Sequence, residues 1–118
     1  MKNALLVVAA LFLVSCARLS VKPDFLQTGS KDWSRWLDET IDVRIKNLPL
    51  HLLPATAEFG SDKIEIKIPD AASIRVTLEA KHLSRRAALW RIAQTYGFKM
   101  RYVPEPEAPQ AIEISAGQ

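Results

Sequence analysis

Five short stretches of the chain alternate apolar and polar residues, which is the pattern of a half-buried strand. The clearest runs from Lys63 to Ile68 and places three isoleucines on one face and charged residues on the other. The same alternation recurs at residues 43–48, 74–80, 98–102 and 111–115. A proline-rich segment at 104–109 cannot continue a ladder and predicts a loop before the last strand.

Two stretches have helical spacing and recognisable ends. Ser30 is suited to cap a short amphipathic helix over residues 30–41, with Asp32 favourable at the positive end of the helix dipole. Its apolar stripe consists of Trp33, Trp36, Leu37 and Ile41. Ser84 is suited to cap a second helix that ends at Tyr96, because Gly97 is well placed to stop it. The apolar set of this helix is Ala88, Leu89, Ile92, Ala93 and Tyr96, with Trp90 on the flank.

Residues 50–59 also carry apolar residues at helical spacing, but Pro54 falls among them. A proline in a helix interior costs about 3 kcal/mol, so we expect a short, kinked or interrupted helix. The elements together predict an α+β domain over residues 42–116. It would consist of two β-α-β-like halves, in which two helices pack on small mixed sheets, preceded by the short N-terminal helix.

The N-terminus begins with Lys2 and an apolar run too short to span a bilayer. The run ends in Leu13-Val14-Ser15-Cys16, which resembles the lipobox of bacterial lipoprotein precursors. The resemblance implies that signal peptidase II recognises Leu13, Val14 and Ser15, removes residues 1–15, and leaves Cys16 as the site of lipid attachment. Residues 16–29 would then be the lipid anchor and a tether. The alternative is an ordinary signal peptide or an uncleaved anchor.

Cleavage there would leave 118 − 15 = 103 residues, enough for one small domain. The formal charge of +3 includes Lys2, and the remaining +2 is too small to indicate nucleic-acid binding. Cys16 is the only cysteine, so the domain has no internal disulfide and must be stabilised by packing. By the same resemblance, Ala17 after the cysteine favours the outer membrane over the inner one, with the domain in the periplasm.

Residues 41–115 resemble the short N-terminal (STN) domain of secretins and TonB-dependent receptors. The resemblance rests on these positions: Val76-Thr77-Leu78, Leu83, Ala88-Leu89, Thr95 with Gly97, and Tyr102. Pro54 departs from the family pattern, whose first helix is uninterrupted. The resemblance implies a docking module without catalytic residues, in contact with an envelope complex such as a secretin or a transport system.

Little in the sequence suggests catalysis or metal binding. His51 and His82 could join Glu58, Glu79 or Asp70 in a metal site, but they lack ligand spacing, and we predict no catalytic residue, metal or cofactor. Lys81, Arg85 and Arg86 would form an electropositive corner for an acidic partner or anionic headgroups, or else a solvated basic face. The alternative functions are a ligand-binding or enzymatic pocket near Trp90, His82 and Tyr102, and a structural envelope lipoprotein.

Overall fold

The computed structural model describes residues 21–60 and 62–117. The predicted signal peptide and Leu13, Val14, Ser15 and Cys16 lie outside the described residues. Within them the α+β class is confirmed. Two small sheets and their helices surround one apolar core.

Helix α1 spans Lys31–Asp38 and begins as predicted, with the Ser30 hydroxyl accepting a hydrogen bond from the Trp33 N–H at 3.4 Å. It is shorter than the predicted helix, because the chain is already extended at Glu39. Trp33 and Leu37 are buried, and the Trp33 indole N–H donates to the Pro109 carbonyl at 3.1 Å. The tryptophan therefore fixes α1 to the proline-rich loop.

Strand β1 (Thr40–Pro49) and strand β3 (Arg75–Ser84) form an antiparallel two-stranded ribbon. Both are longer than the alternating stretches that predicted them. The register shifts twice along the ribbon, and Asn47 and His82 take up positive φ angles of 51° and 54°. These irregularities interrupt the ladder, and such bulges are common at sheet edges.

The segment containing Pro54 is a 3₁₀ helix, Leu50–Ala55, with Leu50 and Leu53 buried. Of the short, kinked or interrupted helix that the sequence predicts, the structure has the short form, which ends at Ala55 rather than continuing to residue 59. A 3₁₀ helix is normally limited to short pieces, and proline at its end removes a donor that a longer α-helix would need.

Helix α2 spans Arg85–Tyr96, with the Ser84 hydroxyl accepting from the Ala87 N–H at 3.0 Å. Gly97 ends it in the left-handed region at φ 73°, as its position predicts. The helix buries Trp90 and all of the predicted apolar set except Tyr96, which is half-buried.

The second sheet contains β2 (Ile64–Lys67), β4 (Phe98–Val103) and β5 (Ala111–Ala116) in the order β2-β5-β4. β2 runs parallel to β5, and β4 runs antiparallel to it through six consecutive residue pairs. One face of this sheet packs into the core through Ile64, Tyr102, Ile112 and Ile114. The other face carries mainly charged and polar side chains.

The described part of the expected tether is packed on the domain. Leu26 is only 6% exposed, and Phe25 packs edge-on against Trp90 with ring centroids 5.0 Å apart. The N–H of Gly29 donates to the Pro106 carbonyl at 3.3 Å. Residues 25–29 therefore belong to the folded domain rather than to a loose linker.

Candidate functional site

Arg85 and Arg86 point toward α1 and the N-terminal segment. The Arg85 side chain is 12% exposed, and its Nη1 lies 2.8 Å from a Glu39 carboxylate oxygen. The same guanidinium group donates to the carbonyls of Glu58 and Trp36, at 2.7 and 3.1 Å. Its donors are thus largely used within the fold.

Arg86 is held in a similar way, with its side chain 18% exposed. Its Nε donates to Asp38 at 3.1 Å, and its Nη1 donates to the carbonyls of Phe25 and Leu26 at 2.8 and 2.7 Å. Asp38 and Glu39, at the end of α1, therefore balance the two arginines that open α2.

This arrangement differs from the electropositive corner expected from the sequence, because Lys81 does not share the environment of the two arginines. Lys81 is exposed and lines a cleft of about 520 Å³ on the β1–β3 ribbon, together with Arg44, Lys46 and Glu79. Three of these four side chains are basic. The sequence did not indicate that they share one cleft, because they lie on two strands that are distant in the chain. Contact of Lys81, Arg85 and Arg86 with a partner stays a prediction. Of these three residues, Lys81 is the one with an exposed side chain.

A second depression lies between α2, β4 and the N-terminal segment, and we call it the β4 groove. Its volume is about 580 Å³. Its apolar lining consists of Phe25, Leu26, Trp90, Ala93, Phe98 and Met100. Lys22, Asp24, Lys99 and Arg101 supply charge around it, and Arg101 is paired with Glu113 at 3.1 Å.

The three residues of the alternative pocket are not brought together in this groove, since neither His82 nor Tyr102 lines it. Tyr102 is buried, its hydroxyl donates to the Leu26 carbonyl, and burial raises the pKa of its phenol to about 12. His82 is exposed on the ribbon. Its backbone N–H donates to the Asp42 carboxylate at 3.0 Å, and this hydrogen bond lowers the pKa of Asp42 below its usual value.

The groove borders the outer edge of β4. The N–H of Ile112 donates to the Lys63 carbonyl on the β2 side, so the neighbouring residues of β5 direct their backbone groups to β4. Their partners on β4 are Lys99, Arg101 and Val103. By alternation, Phe98 and Met100 direct their N–H and C=O groups away from the sheet. The alternation in the sequence predicts that residues 98–102 form a strand, but it does not predict which strands lie beside it in the sheet. The free edge could therefore not be found from the sequence.

The two histidines are both exposed, and nowhere in residues 21–60 and 62–117 do three His, Cys, Asp or Glu side chains come together as metal ligands. Among the helices of the described residues, none is long and apolar enough to cross a membrane. No protein-family model, curated protein or solved structure matches this chain.

Proposed function

We propose that this chain is a lipid-anchored periplasmic protein-interaction module that docks to an envelope complex, such as a secretin or a transport system. The observation that carries the proposal is the apolar run followed by Leu13-Val14-Ser15-Cys16. Acylation of Cys16 would place the domain at a membrane, facing the periplasm. The order strand, helix, glycine stop and strand over residues 75–103 agrees with the STN-like pattern and supports a docking role.

The packed N-terminal segment adds to this proposal. Phe25, the first residue of the segment that packs on the domain, is nine residues after Cys16, so an extended chain between them reaches at most about 32 Å. A domain held that closely would meet partners at the membrane surface rather than deep in the periplasm.

The anchor is tested by expressing the wild-type chain and a Cys16→Ala variant in a bacterium with two membranes, with labelled palmitate in the medium. The wild type should be labelled and recovered with the outer membrane. Cys16→Ala should lose the label and the processing by signal peptidase II. Full labelling of Cys16→Ala would refute lipidation at this residue.

Docking is tested by crosslinking the wild-type chain in intact envelopes and identifying the proteins joined to it. Charge reversal at Lys81 is a suitable variant, because this lysine is exposed whereas Arg85 and Arg86 support the fold. We expect one envelope protein to be recovered reproducibly from the wild type, and a fall in recovery with Lys81→Glu would assign the ribbon to the contact. Recovery of none from the wild type would refute docking.

A further inference from the structure

We propose that the free edge of β4 is the docking site, and that it takes an extended acidic segment of a partner protein as an additional strand. This inference rests on the proposed docking function and specifies its surface and the chemistry of its partner. Strand addition uses backbone hydrogen bonds for affinity and side-chain pockets for specificity.

The backbone of β4 is suited to such an addition. Phe98 and Met100 direct their N–H and C=O groups outward, and no hydrogen bond among the described residues occupies them. The pairing of β4 with β5 is regular through all six residue pairs, so no bulge in β4 interrupts the edge that an added strand would use.

The ribbon edges are less suitable. β1 and β3 contain two register shifts, and the Thr77 N–H on β3 is already donated to the Tyr96 hydroxyl at 2.7 Å. Bulges of this kind disrupt a ladder and discourage edge pairing. β2 has only four residues. β4 is therefore the most regular edge in the described part of the chain.

The β4 groove gives the added strand a place for its side chains. Its apolar wall contains Phe25, Trp90 and Met100, which would cover alternate apolar residues of a partner. Trp90 is only 8% exposed, and its indole nitrogen is buried without an acceptor among the described residues. The indole therefore contributes to the groove as an apolar ring and not as a hydrogen-bond donor.

Charge indicates an acidic occupant. Lys22 and Lys99 line the groove and form no ion pair within the described residues, whereas Arg101 is engaged by Glu113. Asp24 is the one acidic side chain of the lining outside that pair. A second copy of this chain fits poorly, because antiparallel pairing of two β4 strands would bring Lys99 and Arg101 of both copies together, and like charges facing each other are destabilising.

The site is tested by selecting a library of random displayed peptides, long enough to pair with all of β4, against the full chain in mild detergent. Enriched peptides should be rich in Asp and Glu and should alternate them with apolar residues. Binding of a synthetic enriched peptide should slow amide exchange at Phe98 and Met100 and shift the Trp90 indole resonance. Absence of enrichment, or protection of ribbon amides instead, would overturn the proposal.

Met100→Pro is the sharpest variant. The Met100 N–H points away from β5, so proline removes the docking donor without removing a bond of the sheet. Affinity for the enriched peptide should fall roughly tenfold or more, the effect of losing one or two hydrogen bonds. Met100→Ala is the matched control, because it shortens the same side chain but keeps the N–H, and it should retain most of the affinity.

Lys99→Glu tests the charge independently if the proline variant fails to fold. It should weaken the acidic peptide several-fold, and added salt should reduce the difference. Equal affinity in Met100→Pro and wild type, equal affinity in Lys99→Glu and wild type, or dimerisation through β4 would each overturn the proposal.

The crosslinking experiment separates failure of the β4 site from failure of docking. If the wild type recovers an envelope partner and Met100→Pro recovers it equally, docking stands and the β4 site fails. If the wild type recovers none, docking itself fails.

Discussion

Arg86 joins three parts of the fold through one guanidinium group, since it contacts Asp38 of α1 and the carbonyls of Phe25 and Leu26. Arg86→Ala leaves the Phe25 carbonyl without this donor and the Leu26 carbonyl with the Tyr102 hydroxyl alone. We expect the free energy of unfolding to fall by about 2 kcal/mol, typical for hydrogen bonds from a charged group. Arg86→Lys should recover only part of this, because an ammonium group lacks the planar fork.

The free energy of unfolding of both Arg86 variants is measured by urea denaturation. Arg44→Ala is the control, because Arg44 is an exposed arginine on β1, and it should change stability by less than about 0.5 kcal/mol. An Arg86→Ala chain as stable as the Arg44 control would show that these bonds contribute nothing.

The raised pKa of Tyr102 predicts that the protein loses stability at alkaline pH. Its pKa is about 12 in the folded protein against 10 ordinarily, because burial disfavours the phenolate. Below pH 10 the phenol is protonated in both states. Between pH 10 and 12 the unfolded chain releases this proton first, so the free energy of unfolding falls as pH rises.

The measurement is urea denaturation on both sides of pH 10, in the wild type and in Tyr102→Phe. The variant should lose the part of the alkaline decline that Tyr102 causes, while lysine titration remains in both proteins. It should also be about 1 kcal/mol less stable at neutral pH, because the hydroxyl no longer donates to Leu26. Parallel pH profiles would contradict the assignment.

For single residues, the sequence predicted the roles that depend only on residues close by in the chain. Ser30, Ser84 and Gly97 have the roles expected of them, because capping is decided within one helical turn. The ion pairs of Arg85 and Arg86 were not predictable, because their partners lie 46 to 48 residues earlier in the chain. Only the packing of α1 against α2 brings those charges together.

Among the elements, the 3₁₀ helix Leu50–Ala55 has one face in the core and one in solvent. Leu53 is fully buried, whereas its neighbour Leu52 is 42% exposed. Leu53→Ala should lower the free energy of unfolding by about 3 kcal/mol, the usual loss for a buried leucine. Leu52→Ala, the same change one residue away, should cost less than about 0.5 kcal/mol.

Thermal or urea unfolding distinguishes the two leucine variants directly. Similar losses would mean that the 3₁₀ helix does not present the two faces described. The pair also isolates packing from helix propensity, since both variants replace leucine by alanine in the same short helix.

The elements themselves were largely predictable, but their arrangement was not. Alternation found each strand, because a half-buried strand needs apolar residues at every second position. It did not indicate that β5 lies between β2 and β4, since strands with similar isoleucine patterns can pair in several orders. The free edge of β4 follows from that order, so the β4 groove could not be found from sequence.

For the whole molecule, the N-terminal segment decides where the domain begins. Residues 17–29 carry no helical or strand periodicity and contain a proline and a glycine, which predicts a tether. Packing of Leu26 against the core and the hydrogen bonds to its carbonyl from Arg86 and Tyr102 bring part of it into the domain. These contacts are long-range and leave no local pattern.

Truncation tests this boundary. A chain that starts at Val21 should be as stable in urea as a non-acylated chain that starts at Cys16, whereas one that starts at Ser30 should lose about 3 kcal/mol or more. The loss arises because Leu26 leaves the core and the donors of Arg86 and Tyr102 lose their acceptors. If the Ser30 chain kept full stability, residues 25–29 would be a tether after all, and an acylated Cys16 would hold the domain at up to about 45 Å rather than about 32 Å from the lipid.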